Sequence, residues 1–514
     1  MIRENEIISK VLLTIDRCKG NLNHFKSSIT DNEYTPLNST CFTRTLVWKV
    51  CLITDSLKIQ TWDSKLSNSR VVYHQLMRRD DMVIPWWLLE HDSPFFQTQE
   101  LSRKSSLKGN PTVRRTRTLG KTSLTRVSNV EDPLSAGVSS RSRSSTPPLI
   151  SSETTEEDVE LLQTIILDID RLFPGEEFFH SSNPHSLLAK RQMIQILYVW
   201  AKCNPQVGYK QGIHEILGLM YINLYRESLV IPSTNTISAD DLRILSLFDI
   251  HYLPHDLFTM LNKFLLQSGV INHFYENENV LWKSIEKFNV YLMKVDQLIH
   301  YNLINKLKLE SQLWIIRYLR LLLLRELGND LETTSLLWDK LVAAQFSHHN
   351  GNTITAIPDL VMFMIIVLLI QLKTHLITSD FSEALSLLLH YPVPAKFNTE
   401  ASRGEFIATL YKDAAKLYEK RETDLKLYEY GIKLNNAYNP NLRITMSYTG
   451  SARSSVESTN SARASLSPSR SPAPPVSQPP PAPGGDNVRA EQMRFEKIRL
   501  EMRLKKRAQS MLRQ

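Results

Sequence analysis

Apolar residues through the middle of the chain recur at spacings close to three and four. Leu187, Ile194, Leu197, Tyr198 and Ala201 form one such series, and Ile407, Leu410, Tyr411, Ala414 and Tyr418 another. This is the period of a helix that buries one face, and it holds almost throughout 156–430. Leu313 to Leu327 reads as one long apolar helix interrupted only by Arg317, Arg320, Arg325 and Glu326. The most apolar run, Leu360 to Ile370, is eleven residues long and stops at Gln371. A helical membrane span needs about twenty, so this run predicts a helix buried in a protein core. There is no sustained period-two alternation with turn signals, and no strand followed by a Gly-rich loop and a helix. The pattern predicts one large all-α domain over 41–430, preceded by a lead-in at 1–40.

Upstream of the helical region, TRTLVWKVCLI at 43–53 and VIPWWLLE at 83–90 are dense in apolar and aromatic residues. Between about 97 and 150 the composition turns to Ser, Thr, Arg and Lys, with little to offset the entropy of ordering, and predicts a disordered insertion. Its Arg103-Lys104-Ser105-Ser106 run suits a basophilic kinase, and equally a merely solubilising loop. IPSTNTISADD at 231–241 reads as a surface loop ending in a helix cap. Residues 431–488 read as a Ser/Pro-rich disordered linker, whose Pro cluster at 472–483 suits either an SH3-like, aromatic-lined partner groove or a spacer. Residues 489–514 predict a basic helical tail. Its apolar residues fall on two faces (Phe495, Ile498 and Met502; Leu500 and Leu504), which leaves membrane-surface contact, a partner helix and a solvated helix all open.

The 514 residues carry a formal charge of +8, and its distribution matters more than its sum. Residues 101–130 hold eight basic and no acidic side chains, and 441–514 hold thirteen basic and five acidic. These two stretches account for +16, which leaves −8 for the rest and argues against a nucleic-acid-binding core. Cys18, Cys41, Cys51 and Cys203 are too few and too scattered for a disulfide scaffold or a zinc knuckle. The opening MIRENEIISK lacks the apolar core of a signal peptide. The expectation is a cytoplasmic protein without a transmembrane segment.

Most catalytic motifs are absent. His214-Glu215-Ile216-Leu217-Gly218 begins like a zinc-protease helix but has glycine where the second histidine must stand. His348 and His349 are adjacent and read as ordinary histidines. No GxxxxGK, GxGxxG or GxSxG occurs, so no metal site and no cofactor of the chain's own is expected. Two polar islands remain. In the first, Asp168 and Arg171 stand three apart on one face just before Pro174. In the second, Gly208-Tyr209-Lys210-Gln211-Gly212-Ile213-His214-Glu215 leads into an apolar helix, with a glycine that permits close backbone approach. Each alone reads as local structure.

Together they resemble the TBC domain family, the GTPase-activating domains for Rab-type GTPases. The first signature of that family stands here as Ile165, Asp168, Arg171 and Pro174, the second as Tyr209, Gln211 and Gly212, 40 residues from Arg171 to Gln211. RTLVWK at 44–49 resembles its first helix, with Trp48 and Lys49 matching and the usual glycine missing. His255-Asp256, Gln312, RYLRLLLLRE at 317–326, LLWDKL at 336–341 and LLLHYP at 387–392 follow in the family's order. The Gln211-Gly212-Ile213-His214-Glu215 version, with EDPLS at 131–135, is nearest to the fungal Golgi/endosomal and retromer-linked branch.

The resemblance implies a two-lobed helical domain that stimulates GTP hydrolysis by a Rab/Ypt-family GTPase. Arg171 would be an arginine finger and Gln211 a glutamine finger that orients water. Asp168, Tyr209 and Gly212 would support them. Trp48, Arg317, Arg320, Arg325, Glu326, Trp338 and Asp339 would support the fold, with Glu326, Asp339 and backbone carbonyls as partners for the arginines. GTP and Mg2+ would belong to the partner, and localisation would be peripheral, on Golgi or endosomal membranes. The competing reading is a catalytically silent Rab-binding scaffold or tether.

Overall fold

The computed structural model describes residues 2–37, 39–89, 95, 156–231, 237–345, 348–349, 352–353, 357–393 and 399–442. Over these the chain is built of α-helices, from Ile2–Arg17 to Asp424–Tyr438, joined by short turns. Strand structure among the described residues amounts to a two-residue antiparallel ladder, His348–His349 against Asn352–Thr353, and a lone bridge between Leu229 and Asp249. Helix starts follow local chemistry. Asn21 Oδ1 accepts the amides of Asn23 and His24 to open Leu22–Thr30, and Asp380 with Glu383 forms a reciprocal capping box at Phe381–Leu389. Ser238 caps Ala239–Ser246 through the Asp241 amide at 3.1 Å, so the polar run at 231–241 does end in a cap, although 232–236 lies outside the described residues.

The Leu360–Ile370 run lies in the helix Ile357–Gln371, buried on every side and packed along Glu400–Glu419. An all-round apolar helix is stable only when protein surrounds it. Among the described residues no helix is long and apolar enough to cross a membrane.

Three sequence-based expectations are corrected. The lead-in before residue 41 packs into the common core: Val11, Phe25, Ile29 and Tyr34 are buried, and Lys340 Nζ donates to the Ile29 and Thr30 carbonyls at 2.9 and 3.1 Å. That lysine satisfies carbonyls left open at the C-terminal end of Leu22–Thr30. The boundary at 430 falls inside the helix Asp424–Tyr438, whose Asn435 bonds Asp296 and Lys373, each at 2.8 Å, from within the core. Finally, the helix expected over Leu313–Leu327 stops early. Gln312–Arg320 is helical, after which Leu322 and Leu323 take left-handed φ values of 49° and 65°. Four consecutive leucines on a regular helix point around its whole circumference; the break turns Leu321 through Leu324 all inward, where each is buried. The insertion at 97–150, the linker beyond 442 with its Pro cluster, and the basic tail at 489–514 lie outside the described residues.

Buried ions fix how the helices meet. Asp256 takes Lys49 at 2.6 Å and Arg70 at 2.8 Å, joining Arg44–Lys49, Trp62–Met77 and Leu253–Gln267. Burial pushes its carboxyl up, but the two cations outweigh this and hold it at about 2. Arg44 spans Asp339 at 3.0 Å, Glu332 at 2.8 Å and Asn223 at 2.9 Å, while Trp48 Nε1 donates to Asp339 at 2.7 Å. Such ions are costly to bury, and each is compensated only in this one arrangement.

Candidate functional site: the Arg171 and Gln211 turns

The helix Glu156–Asp170 opens with Glu156, Glu157 and Asp158, which suit its positive end, and buries Leu162, Ile165 and Ile169. Asp168 shares that inward face. The helix ends as Phe173 adopts φ 41°, with Pro174 behind it. Arg171, one residue past the end, turns outward. Its side chain is 65% exposed, that of Asp168 only 3%, and the guanidinium NH2 donates to Asp168 Oδ1 at 2.5 Å. Gly218, in the helix Ile213–Glu227, lets this turn sit close: a Cβ there would lie 3.0 Å from both Leu172 and Phe173.

The second turn enters the helix Ile213–Glu227. Gly212 stands at its N-cap with φ 105°, a conformation that side chains resist, and a Cβ there would meet Leu321 at 3.0 Å and the Tyr275 hydroxyl at 3.2 Å. Gln211 is exposed beside it. Tyr209 is half-buried. Its hydroxyl donates to Asp168 Oδ2 at 2.7 Å and lies 2.9 Å from His214 Nδ1. The glutamine-bearing turn is thus tied to the arginine-bearing turn through one buried carboxylate.

Proton placement follows from donor and acceptor counts. A carboxylate only accepts, so Tyr209 donates to Asp168, and its oxygen is left to accept from His214 Nδ1–H. The Gly212 amide, 3.4 Å from Nδ1, is too distant to dictate the opposite tautomer. Burial pushes His214 down to about 4, against the pull of Asp168 and with help from Arg325 and Arg171, so the ring is neutral at pH 7. The hydrogen bond that Arg171 donates to Asp168 makes the guanidinium hold its proton more firmly than usual. Burial raises the Tyr209 hydroxyl well above the ordinary phenol range, and it raises Glu215 against the opposing Arg325.

The supporting arginines find partners that differ in part from the expected ones. Arg317 pairs with Glu326 at 2.6 Å and donates to Leu389 O at 2.5 Å, and Arg320 donates to Phe274 O at 3.1 Å. Arg325 instead crosses to Glu215, at 2.7 and 2.9 Å, because the break at Leu322 swings it toward the second turn. Asp339 serves Arg44 and Trp48, and Trp338 Nε1 donates to the Leu322 carbonyl exposed by the same break, at 3.2 Å. Sequence reasoning assigned no site role to His214, Glu215 or Gly218; the signal available was only their place in the first turns of a helix beginning at Gly212. Among the described residues no three His, Cys, Asp or Glu side chains gather so as to hold a metal ion.

Residues 135–376 match the Rab-GTPase-TBC domain family, and both turns fall within that span. The match covers just under half of the chain. TBC1 domain family member 5 of Mus musculus is 24% identical over 260 residues, 46% of this chain and 30% of that protein. A TBC domain-containing protein of Schizosaccharomyces pombe is 24% identical over 255 residues, 48% of this chain and 36% of its own length. The matches therefore span about a third of these relatives. The crystal structure of the Ypt/Rab-GAP domain of Gyp1p superposes with a TM-score of 0.52 at 16% identity, covering 80% of this chain and 98% of that one. It shows that the all-helical TBC fold is shared.

Proposed function

We propose that the TBC domain accelerates GTP hydrolysis by a Rab/Ypt-family GTPase, with Arg171 and Gln211 supplied in trans. The observation that carries this reading is the shared carboxylate: Asp168 bonds both Arg171 and Tyr209, which places the two signature turns side by side on one surface. Phosphoryl transfer spreads negative charge over the γ-phosphoryl and leaving oxygens. An exposed guanidinium that reaches them stabilises the transition state more than bound GTP, which is the condition for acceleration. Donors of this class are worth about 10³–10⁵ in rate. Gln211 presents a carboxamide that accepts from the attacking water while donating to a phosphate oxygen. GTP and Mg2+ belong to the partner.

In the free domain Arg171 rests on Asp168. Engagement turns the remaining guanidinium N–H groups to the phosphate oxygens while NH2 stays on Asp168, which the exposure of the side chain allows. The Lys210–Glu215 run supports membership of the branch that works at Golgi and endosomal membranes, with a role in vesicle transport. The deciding test is GTP hydrolysis across a purified Rab panel, with R171A as control. Stimulation of one or a few Rabs by the wild type and none by R171A is expected; equal stimulation by both would overturn the finger assignment. Binding of GTP-loaded Rab without stimulation would favour the scaffold.

A further inference from the structure

The Arg171–Asp168 pair does not stand alone. Asp168 is buried beneath an exposed arginine and has two oxygens to satisfy. One accepts from Arg171, the other from the Tyr209 hydroxyl. Tyr209 has a single proton and two groups in reach, Asp168 Oδ2 and His214 Nδ1, and a protonated Nδ1 leaves Asp168 as the one acceptor. His214 is buried, with Nδ1 2.9 Å from that oxygen and 3.4 Å from Asp168 Oδ2. The ring is fixed at the start of the helix Ile213–Glu227, one residue before Glu215, whose carboxylate is clamped by Nε and NH2 of Arg325.

We propose that His214 is a positioning residue for the arginine finger: its Nδ1–H orients the Tyr209 hydroxyl toward Asp168, and Asp168 in turn aims Arg171. The inference rests on the GTPase-activating reading above. The groups facing the ring are Tyr209, Asp168 and Arg171 on one side and Glu215 with Arg325 on the other, so the chain runs Nδ1–H to Tyr209 oxygen, Tyr209 O–H to Asp168 Oδ2, and Asp168 Oδ1 to the guanidinium. The Tyr209 hydroxyl, itself held by the ring, fixes the orientation of the carboxylate; without that donor the carboxylate is free to rotate about its terminal torsion. An arginine set by it then loses the alignment on which in-line transfer depends.

Asparagine places an amide N–H where Nδ1–H stands, whereas leucine fills the space and donates nothing. The test uses the full chain with the Rab that responds in the panel. For H214L, maximal stimulation at saturating activator should fall tenfold or more, with the KM for the Rab within about twofold of wild type. H214N should keep most of the rate. Y209F should match H214L, and the double variant should be no worse than either single one, because both act through one link. Loss of rate in H214N equal to that in H214L, or additive losses in the double variant, would overturn the proposal. So would undiminished stimulation by H214L.

Hydrogen exchange gives a readout that does not depend on activity. Peptides covering 165–175 and 207–213 should exchange faster in H214L and not in H214N; equal exchange in all three proteins would also overturn the link. If wild type stimulates no Rab while exchange still couples the two turns, the functional reading fails and the positioning chain stands.

Discussion

Asp168 and Tyr209, 41 positions apart in the chain, share a 2.7 Å hydrogen bond beneath an exposed arginine. That contact makes one surface of two signature motifs, and several measurable consequences follow from its chemistry.

Replacing Arg171 by lysine should abolish stimulated hydrolysis while unfolding midpoints stay near wild type. Lysine is a point charge without the planar fork that spans two oxygens, and the exposed side chain contributes little to stability. Near-normal stimulation by R171K would remove the finger assignment. Gln211→Ala should be nearly as damaging, and a Rab whose own catalytic glutamine is replaced by leucine should still respond in part to the wild-type protein. A silent response from that Rab would show that the water is oriented by the GTPase.

Gly212→Ala and Gly218→Ala should behave differently. At Gly212 a side chain meets φ 105° together with Leu321 and Tyr275, and should cost about 1–3 kcal/mol in stability. Gly218 lies in a helix, where alanine gains about 1 kcal/mol in propensity, but its Cβ would press on Leu172 and Phe173. G218A should therefore change stability by less than about 1 kcal/mol, while stimulation falls because the Arg171 turn is displaced. Urea unfolding beside hydrolysis rates distinguishes the two; a fully active G218A would contradict this account.

His214 gives stability a pH dependence of definite sign. Its pKa when folded is about 4, below the ordinary value of 6.5, so the unfolded chain binds the proton first. Its contribution is complete above pH 6.5 and is lost as pH falls toward 4. At about 1.4 kcal/mol per pKa unit this amounts to roughly 3 kcal/mol. H214N, which does not titrate, should unfold with a flatter pH dependence across that window. Identical slopes would show that His214 does not titrate differently on folding.

Two buried arginines should respond oppositely to methionine. Arg191 is 6% exposed and, among the described residues, lies over the Trp86 ring at 5.0 Å with no acceptor shown for Nε. R191M should leave stability within about 1 kcal/mol or raise it, since burial disfavours the charged guanidinium and no ion pair to it is formed among the described residues. R44M strands Asp339 and Glu332 and should cost about 3–5 kcal/mol. Comparable losses would mean that Arg191 has a compensating partner.

The sequence by itself determined the helical class, because a 3.6-residue apolar period is local, and the position of both signature turns, because motif residues stand at fixed spacings. It also determined that Leu360–Ile370 is too short to span a membrane and apolar enough to be enclosed. Contacts between distant segments decided the rest. Leu321 through Leu324 look helical by composition, yet the space available inside the core breaks the helix there and sends Arg325 to Glu215 instead of Glu326. Asn435 sits in a polar stretch that reads as the start of a linker, until Asp296 and Lys373 are seen to need it. His214 looks like a failed zinc ligand in the sequence, and only the fold places its Nδ1 against the Tyr209 hydroxyl. Periodicity reports which face of a helix is buried. A buried proton donor is assigned by what lies across from it, and that is settled only when the helices pack.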